Sequence, residues 1–314
     1  MVPRLRILLL SDWFPAAPGD PAGSFVRAQA LAVAEAHEVV VLHLRDGAPG
    51  EGRPRLEDGR DGPLRVLRVR SGLPHVPRTA LSAWAVRAAL RRLRRDGFEP
   101  DVLHAHEPGA GLAALVGSRR PRRPVVVSEH SSALALGQVG GAGLRVARLA
   151  LGRADLVCPV SDTLRRALAA QGLGRRFEVV PNPVDTELFV PGEPAGRRIV
   201  AVANLVPVKG VMDLVEAAGL LSRDFRLDIA GDGPERPRLA ARIAELGLQD
   251  RVVLHGALPA ERVAALLRDA SLAVVPSRYE TFSVAVSEAL ACGLPVAGRW
   301  SAIYAGLTES IRRS

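Results

Sequence analysis

The stretch Leu272-Ala273-Val274-Val275-Pro276-Ser277-Arg278-Tyr279-Glu280-Thr281-Phe282-Ser283-Val284-Ala285-Val286-Ser287-Glu288-Ala289-Leu290-Ala291 reads as one strand–loop–helix unit. Leu272–Val275 is a short apolar run of strand character, and Ser283–Ala291 is apolar and helix-like. A helix that begins near Ser283 aims free backbone N–H groups at whatever binds above it. Such an end suits a phosphate. Glu280 and Glu288 stand eight positions apart, where their carboxylates can accept hydrogen bonds from hydroxyl groups on either side of that phosphate. Phosphate flanked by hydroxyls describes a nucleotide sugar.

Outward from this unit, short β-branched runs alternate with helical segments, the pattern of parallel α/β architecture. In the first half the runs are Ile7–Leu10, Val39–Leu44, Val66–Val69, Val102–His104, Val125–Ser128, Leu156–Cys158 and Val179–Val180. Helices are expected over Phe25–Ala36, Ala80–Arg95 and Asp162–Ala170, the last with Ser161 as N-cap. Residues 45–63, rich in Gly, Pro and charge, read as a loop. Breakers at Pro181-Asn182-Pro183 and Pro191-Gly192-Glu193-Pro194 mark an interdomain connection. The alternation then restarts: strands Ile199–Val202, Leu227–Ile229 and Val252–Leu254, and helices Val211–Leu221, Glu235–Leu246 and Ala260–Arg268. The expected fold is therefore α/β, with two Rossmann-like, doubly wound parallel-sheet domains, 1–190 and 191–314, facing a cleft. Ligands of such sheets bind beyond the carboxyl ends of the strands. After Leu294-Pro295-Val296-Ala297 the periodicity fades through Arg299–Ser314, so the second domain reads as incomplete.

Composition narrows the partners. Of 42 Lys+Arg, one is lysine, Lys209, in Val206-Pro207-Val208-Lys209-Gly210. An ammonium is a compact point charge that arginine does not replace; one lysine could also fall there by chance. Net charge is +9, and the basic excess lies before residue 182. Its densest segment, Arg87 to Arg95 after Trp84, reads either as a basic amphipathic helix for an anionic membrane surface or as a solvated face. Aromatics make up 4% of residues, too few to stack bases, and no nucleic-acid-binding module is recognisable. No apolar run approaches the ~20 residues that span a bilayer. Cys158 and Cys292 lie in separate apolar segments and read as buried free thiols of a reducing cytoplasm.

Several loops at strand ends carry candidate chemistry. Gly19-Asp20-Pro21-Ala22-Gly23-Ser24 lets a backbone approach a diphosphate or sugar, but is not a dinucleotide fingerprint. His104 and His106 share a strand face before Glu107. No third metal ligand is evident, which leaves one packed and one ligand-facing imidazole. Glu129-His130-Ser131-Ser132 puts an imidazole where it can bond sugar hydroxyls or cap the next segment. Gly231-Asp232-Gly233-Pro234 forms a tight turn, either beside a nucleotide or merely structural.

Lys209-Gly210, Gly231-Asp232-Gly233-Pro234, Glu280 with Glu288, and Ala291-Cys292-Gly293-Leu294-Pro295 occur in an order that resembles family 4 of the retaining glycosyltransferases (glycosyl transferases group 1). The first half agrees in Pro100-Asp101-Val102-Leu103-His104-Ala105-His106, Glu129-His130 and Val180-Pro181-Asn182-Pro183. The resemblance spans roughly residues 5–298. It implies the B-type glycosyltransferase fold and a catalytic set of Glu280, His130 and Lys209. Lys209 would neutralise the donor diphosphate, Glu288 hold the ribose, and Glu280 hold hydroxyls of the donor sugar. The amides near Phe282 and Ser283 would touch phosphates and sugar, with Gly231 and Gly233 beside the nucleotide. His130 would contact the transferred sugar, and Gly23 would let the first loop close. No metal or other cofactor is required.

Two features depart from the family. Asn204 stands where members often carry an arginine that shares the diphosphate, and the C-terminal elements are missing, which reads as truncation. The partners implied are a nucleotide sugar and a glycan or lipid-linked acceptor, with possible peripheral contact to anionic membrane and no nucleic acid. The location implied is cytoplasmic. A catalytically inactive nucleotide-sugar-binding remnant and a nucleotide-sugar epimerase remain as alternatives.

Overall fold

The computed structural model describes residues 3–17, 20, 22–44, 53–71, 78–118, 122–194 and 196–299. The chain divides into two compact units, one running to Pro183 and the other from Val184 with Asp20. The division falls seven residues before the expected 190. Phe189 is the reason: it is buried with Val200, Ala273 and Ala289 in the second unit's core, and Val184 and Leu188 pack beside it.

The first unit runs β1 (Arg6–Ser11), α1 (Ser24–Ala36), β2 (Glu38–His43), β3 (Arg55–Asp61), β4 (Leu64–Arg70), α2 (Arg78–Arg95), β5 (Val102–His106), α3 (Glu107–Gly117), β6 (Val125–Glu129), α4 (Ser132–Ala135), α5 (Gly141–Arg153), β7 (Leu156–Pro159) and α6 (Asp162–Ala170). Its seven strands lie in the order β3-β4-β2-β1-β5-β6-β7. Leu8, Leu9 and Leu10 of β1 are all fully buried, as a central parallel strand covered on both faces requires. The chain winds one way from β1 to β2 and the other from β1 to β5, so the carboxyl ends of β1 and β5 form the switch point. Ser161 caps α6 as expected, its hydroxyl accepting from the Leu164 amide.

Two local expectations are corrected. Arg55–Asp61, inside the segment read as a loop, is an edge strand antiparallel to β4. Its ladder is held by charge, Arg70 to Glu57 at 2.9 Å and Arg65 to Asp58, so it lacks the apolar alternation that marks a strand. Val179–Val180 forms no strand of its own. A single bridge joins Phe177 to Val157, and the Val180 amide donates to the Pro159 carbonyl before the prolines intervene.

The second unit runs β8 (Arg198–Val202), a 3-10 turn (Pro207–Lys209), α7 (Val211–Ala218), β9 (Arg226–Ala230), α8 (Arg236–Glu245), β10 (Val252–Gly256), α9 (Ala260–Arg268), β11 (Leu272–Val275), α10 (Val284–Ala291) and β12 (Val296–Gly298). Its five strands are parallel in the order β10-β9-β8-β11-β12. Along β8, Ile199 and Ala201 enter one core with α7 and α8, while Val200 enters the other with α9 and α10. The doubly wound arrangement follows from that alternation. The α7 helix ends at Ala218, short of the expected Leu221, where Gly219 caps it. The reading of residues 300–314 lies outside the described residues.

Candidate functional site

In the second unit, the loops that follow β8, β9 and β11 meet above the carboxyl ends of the strands and are knitted by backbone. The Leu205 amide donates to Asp232, the Glu235 amide to Leu205, and the Arg278 amide to Val208 at 2.8 Å. Three glycines make this approach possible. A Cβ at Gly210 would lie 2.4 Å from the Pro276 carbonyl oxygen, one at Gly233 2.5 Å from that of Leu205, and one at Gly231 1.8 Å from that of Ala203.

On this crest the Lys209 ammonium donates to Glu280 Oε1 at 2.6 Å, across 71 positions of sequence. The Ser277 hydroxyl donates to the same oxygen at 2.8 Å. Glu280 is 5% exposed, so its charge is held in place by these partners. An ammonium has three hydrogens. One engages Glu280, and two remain for an anion. Ser283 caps α10, its hydroxyl accepting from the Val286 amide at 3.4 Å. Glu288, one face of α10 further on, is half-buried, and burial pushes its carboxyl up to about 7. Asn204 is exposed. The arginines flanking the crest are matched with carboxylates: Arg236 with Asp232 at 2.8 Å and Arg278 with Asp213 at 3.3 Å.

The first unit gathers a second cluster at the ends of β1, β5 and β6. His104 Nε2 lies 2.8 Å from the Ser128 hydroxyl, and His106 Nδ1 lies 3.2 Å from His130 Nε2. His106 stacks on His130, and the Phe25 ring lies tilted against His130, with centroids 4.8 Å apart. Burial lowers all three imidazoles, His104 to about 4, His130 to about 3 and His106 well below its usual value, so each is neutral at pH 7. Glu129, with no exposure, is raised to about 8 by burial, with the Glu107 carboxyl adding to the shift. Glu107 is the one non-glycine residue at positive φ among the described residues (70°). Gly23 precedes α1 at φ 71°, and a Cβ there would meet the Trp13 and Phe14 backbone at 2.5–2.6 Å, which is a local reason for glycine. No group of three His, Cys, Asp or Glu among the described residues is placed to hold a metal ion.

Within the second unit, then, the structure brings together Lys209, Glu280, Ser283, Gly231 and Gly233 on loops that touch, with Phe282 and Glu288 on the same loop and helix. His130 and Gly23 belong to the first unit. Sequence reasoning missed Ser277, whose serine carries no pattern, and Glu129, which was visible beside His130 but had no assigned partner. On α2, Trp84, Arg87, Arg91 and Arg95 are exposed. Arg92 and Arg94 are spent on Asp58, Asp96 and Glu99. No described helix is long and apolar enough to cross a membrane.

The buried groups set a pH profile. A glutamic acid with a raised folded pKa contributes stability that is full below its unfolded value, about 4.3, and is lost as pH climbs through the folded value. A histidine with a lowered pKa does the reverse: its contribution is full above about 6.5 and is lost toward the lower folded value. Glu129 and Glu288 therefore pull stability down up to pH 8 and 7, while the three histidines push it up to about 6.5. Denaturant titrations across pH are expected to show a maximum near pH 6.5 and a decline to pH 8 that Glu288→Gln makes shallower. A stability that rises between pH 6.5 and 8 would contradict these assignments.

Two Rossmann-like sheets in series, the second crowned by a glycine-knitted Lys–Glu crest, define the B-type glycosyltransferase fold. The profile of Glycosyltransferase Family 4 matches residues 22–188, and that of Glycosyl transferases group 1 matches residues 186–304. The chain belongs to glycosyltransferase family 4. It is 33% identical over 290 residues to the D-inositol 3-phosphate glycosyltransferase of Acidothermus cellulolyticus, covering 80% of this chain and 62% of that protein. It is 32% identical over 294 residues to the 2-deoxystreptamine N-acetyl-D-glucosaminyltransferase of Streptomyces fradiae, covering 80% and 68%. Among solved structures, sucrose-phosphate synthase from Thermosynechococcus elongatus superposes with a TM-score of 0.76 at 23% identity, over 98% of this chain and 84% of that one. HepE from Anabaena, solved with UDP and glucose, gives 0.71 at 21% identity, over 96% and 82%.

Proposed function

We propose that this chain transfers a sugar from a nucleotide-diphosphate sugar to a hydroxyl of a glycan or lipid-linked acceptor, with retention of anomeric configuration. The observation that carries the reading is the crest at the carboxyl ends of β8, β9 and β11. There the chain's single lysine is held at 2.6 Å by a buried glutamate beside a helix N-terminus. As the bond between the sugar's anomeric carbon and the diphosphate breaks, its electron pair stays on the diphosphate. The Lys209 ammonium and the amides near Phe282 and Ser283 stabilise that charge without reorganising. Glu280, already fixed through Lys209 and Ser277, accepts from sugar hydroxyls, and Glu288 accepts from the ribose. Gly231 and Gly233 allow the close approach of the nucleotide. In the first unit His130 takes the contact with the transferred sugar, and Gly23 serves the first loop. The acceptor oxygen bonds the anomeric carbon and gives up its proton. This division of charge calls for no metal or organic cofactor.

Relatives that act on inositol phosphate and on 2-deoxystreptamine favour a polyhydroxylated acceptor. The exposed Trp84, Arg87, Arg91 and Arg95 favour presentation of that acceptor at an anionic membrane surface. The decisive test is thermal stabilisation with UDP, GDP and ADP. One nucleotide at 100 times its dissociation constant should add about 2.7 kcal/mol, and the shift should vanish in both Lys209→Ala and Glu288→Ala. A cooperative melt that no nucleotide moves would sink the donor site. Product formation from labelled donors separates transfer from binding alone, and donor interconversion without acceptor would mark an epimerase.

A further inference from the structure

We propose that Glu129 is a positioning residue for His130: one oxygen of its carboxyl gathers the His130 and Ser131 amides and so sets how the imidazole leaves strand β6. This rests on the reading that His130 contacts the transferred sugar. Glu129 is the last residue of β6 and has no exposure. Its Oε1 accepts from the His130 amide at 3.0 Å and the Ser131 amide at 2.7 Å. Its Oε2 is buried without a hydrogen-bond partner among the described residues. Its carbonyl accepts from Val160, so the residue is pinned at backbone and side chain alike.

An ordinary turn does not need this arrangement. Ser131 caps α4 with its own hydroxyl, accepting from Leu134 at 3.1 Å, which is the usual economical solution. A fully buried carboxyl is a costly one, and here it acts on two consecutive amides, one of them that of His130. The imidazole so aimed contacts both Phe25 and His106, with His106 Nδ1 at 3.2 Å. That contact needs one nitrogen to donate and the other to accept, so the two rings cannot both be protonated. The titratable groups on the elements packed against β6 are Glu107 of α3, His104 and His106 of β5 and Cys158 of β7. None of them offers a positive charge at neutral pH: burial lowers the imidazoles, and it raises Glu107, Cys158 and Glu129. With Glu129 protonated, its carbonyl-type oxygen is turned toward the two amides. Above about pH 8 Glu129 ionises. The new negative charge tightens the hold of Oε1 on the His130 and Ser131 amides and shifts the ring that follows them, so kcat of the wild type is expected to fall near pH 8.

The test uses Glu129→Gln and Glu129→Met in the full chain. Glutamine keeps an oxygen for the two amides. Methionine fills the same space, removes the acceptor and relieves the buried carboxyl, so it need not unfold the unit. Glu129→Met is expected to lower kcat about 10²-fold, the scale of a small misplacement of a reacting group, with the nucleotide dissociation constant unchanged. Glu129→Gln is expected to stay within about threefold of wild type and to abolish the fall of kcat near pH 8. In parallel, the His130 imidazole and the His130 and Ser131 amide NMR resonances should titrate near pH 8 in wild type, move in Glu129→Met and hold in Glu129→Gln. Unmoved His130 resonances in Glu129→Met overturn the proposal. So does a glutamine variant as impaired as the methionine one, because the carboxyl would then be doing proton chemistry. If the resonances behave as expected and wild type turns over no sugar with any donor, it is the transfer reading that fails.

Discussion

Lys209→Ala is expected to lower kcat by about 10²–10³-fold while changing donor KM much less, because the interaction it removes grows as the diphosphate leaves. In the folded protein the ammonium is not a mobile surface charge. It is bonded to Glu280 at 2.6 Å, with a side-chain exposure of 23% against 6% for its partner, on a turn whose following residue, Gly210, abuts the Pro276 carbonyl. Deleting it therefore does two things. It strips the leaving group of its cation, and it leaves Glu280 with only the Ser277 hydroxyl. The second effect is a stability effect: orphaning one member of a buried pair costs about 3–5 kcal/mol, with the lower figure more apt for a pair open on the lysine side.

The two effects separate in a double variant. Lys209→Ala with Glu280→Gln should recover most of the melting temperature and none of the kcat. Lys209→Arg keeps a positive charge but replaces a point donor with a planar fork, so it should fall between wild type and alanine. Steady-state kinetics with a matched nucleotide sugar check this, read beside a melt of each variant. A Lys209→Ala protein that melts normally and keeps kcat within tenfold of wild type would remove lysine from the chemistry.

How far the site could be read in advance depended on what kind of contact made it. Strands such as Leu272–Val275 and helices such as Asp162–Ala170 and Ala260–Arg268 stand at the expected bounds, because apolar periodicity and caps are local. The edge strand Arg55–Asp61 was invisible for the opposite reason: its pairing is carried by Glu57, Asp58 and their arginines, and charge has no strand period. Lys209 and Glu280 were each singled out by residue type and place, yet nothing in the spacing says that they bond each other. That contact depends on the parallel order β8-β11, which brings together loops far apart in sequence. The His104–His106–His130 group shows the same limit. Two imidazoles on one strand were legible, and the third enters only through the pairing of β5 with β6. Glu129 carries a charge in the sequence and loses it in the fold, and only its burial reveals that.

Gly231→Ala is expected to be the most disruptive small substitution in the second unit. Its backbone sits at φ 141°, and the added Cβ would fall 1.8 Å from the Ala203 carbonyl oxygen and 2.8 Å from the carbonyl carbon. Both obstacles are backbone, so no rotamer change relieves them. The loops must part by more than an ångström. Their separation breaks or stretches the bonds that define the crest: Ala203 to Ala230, Leu205 to Asp232, Glu235 to Leu205, and Gly231 itself to Gly256 at 2.8 Å. At about 1 kcal/mol net for each of three or four bonds, together with the conformational penalty of a side chain at positive φ, the loss should exceed about 3 kcal/mol. Gly247→Ala provides the control. Gly247 also has positive φ, 65°, but an added Cβ there meets nothing within 4 Å, so only the conformational penalty of about 1 kcal/mol applies. Denaturant titration of the two variants isolates the close approach from the backbone preference. Equal losses would mean that the Ala203–Gly231 contact does not hold the crest. A larger loss in Gly231→Ala, with nucleotide stabilisation abolished there and intact in Gly247→Ala, would tie this one missing methyl group to both the packing of the loops and the binding they serve.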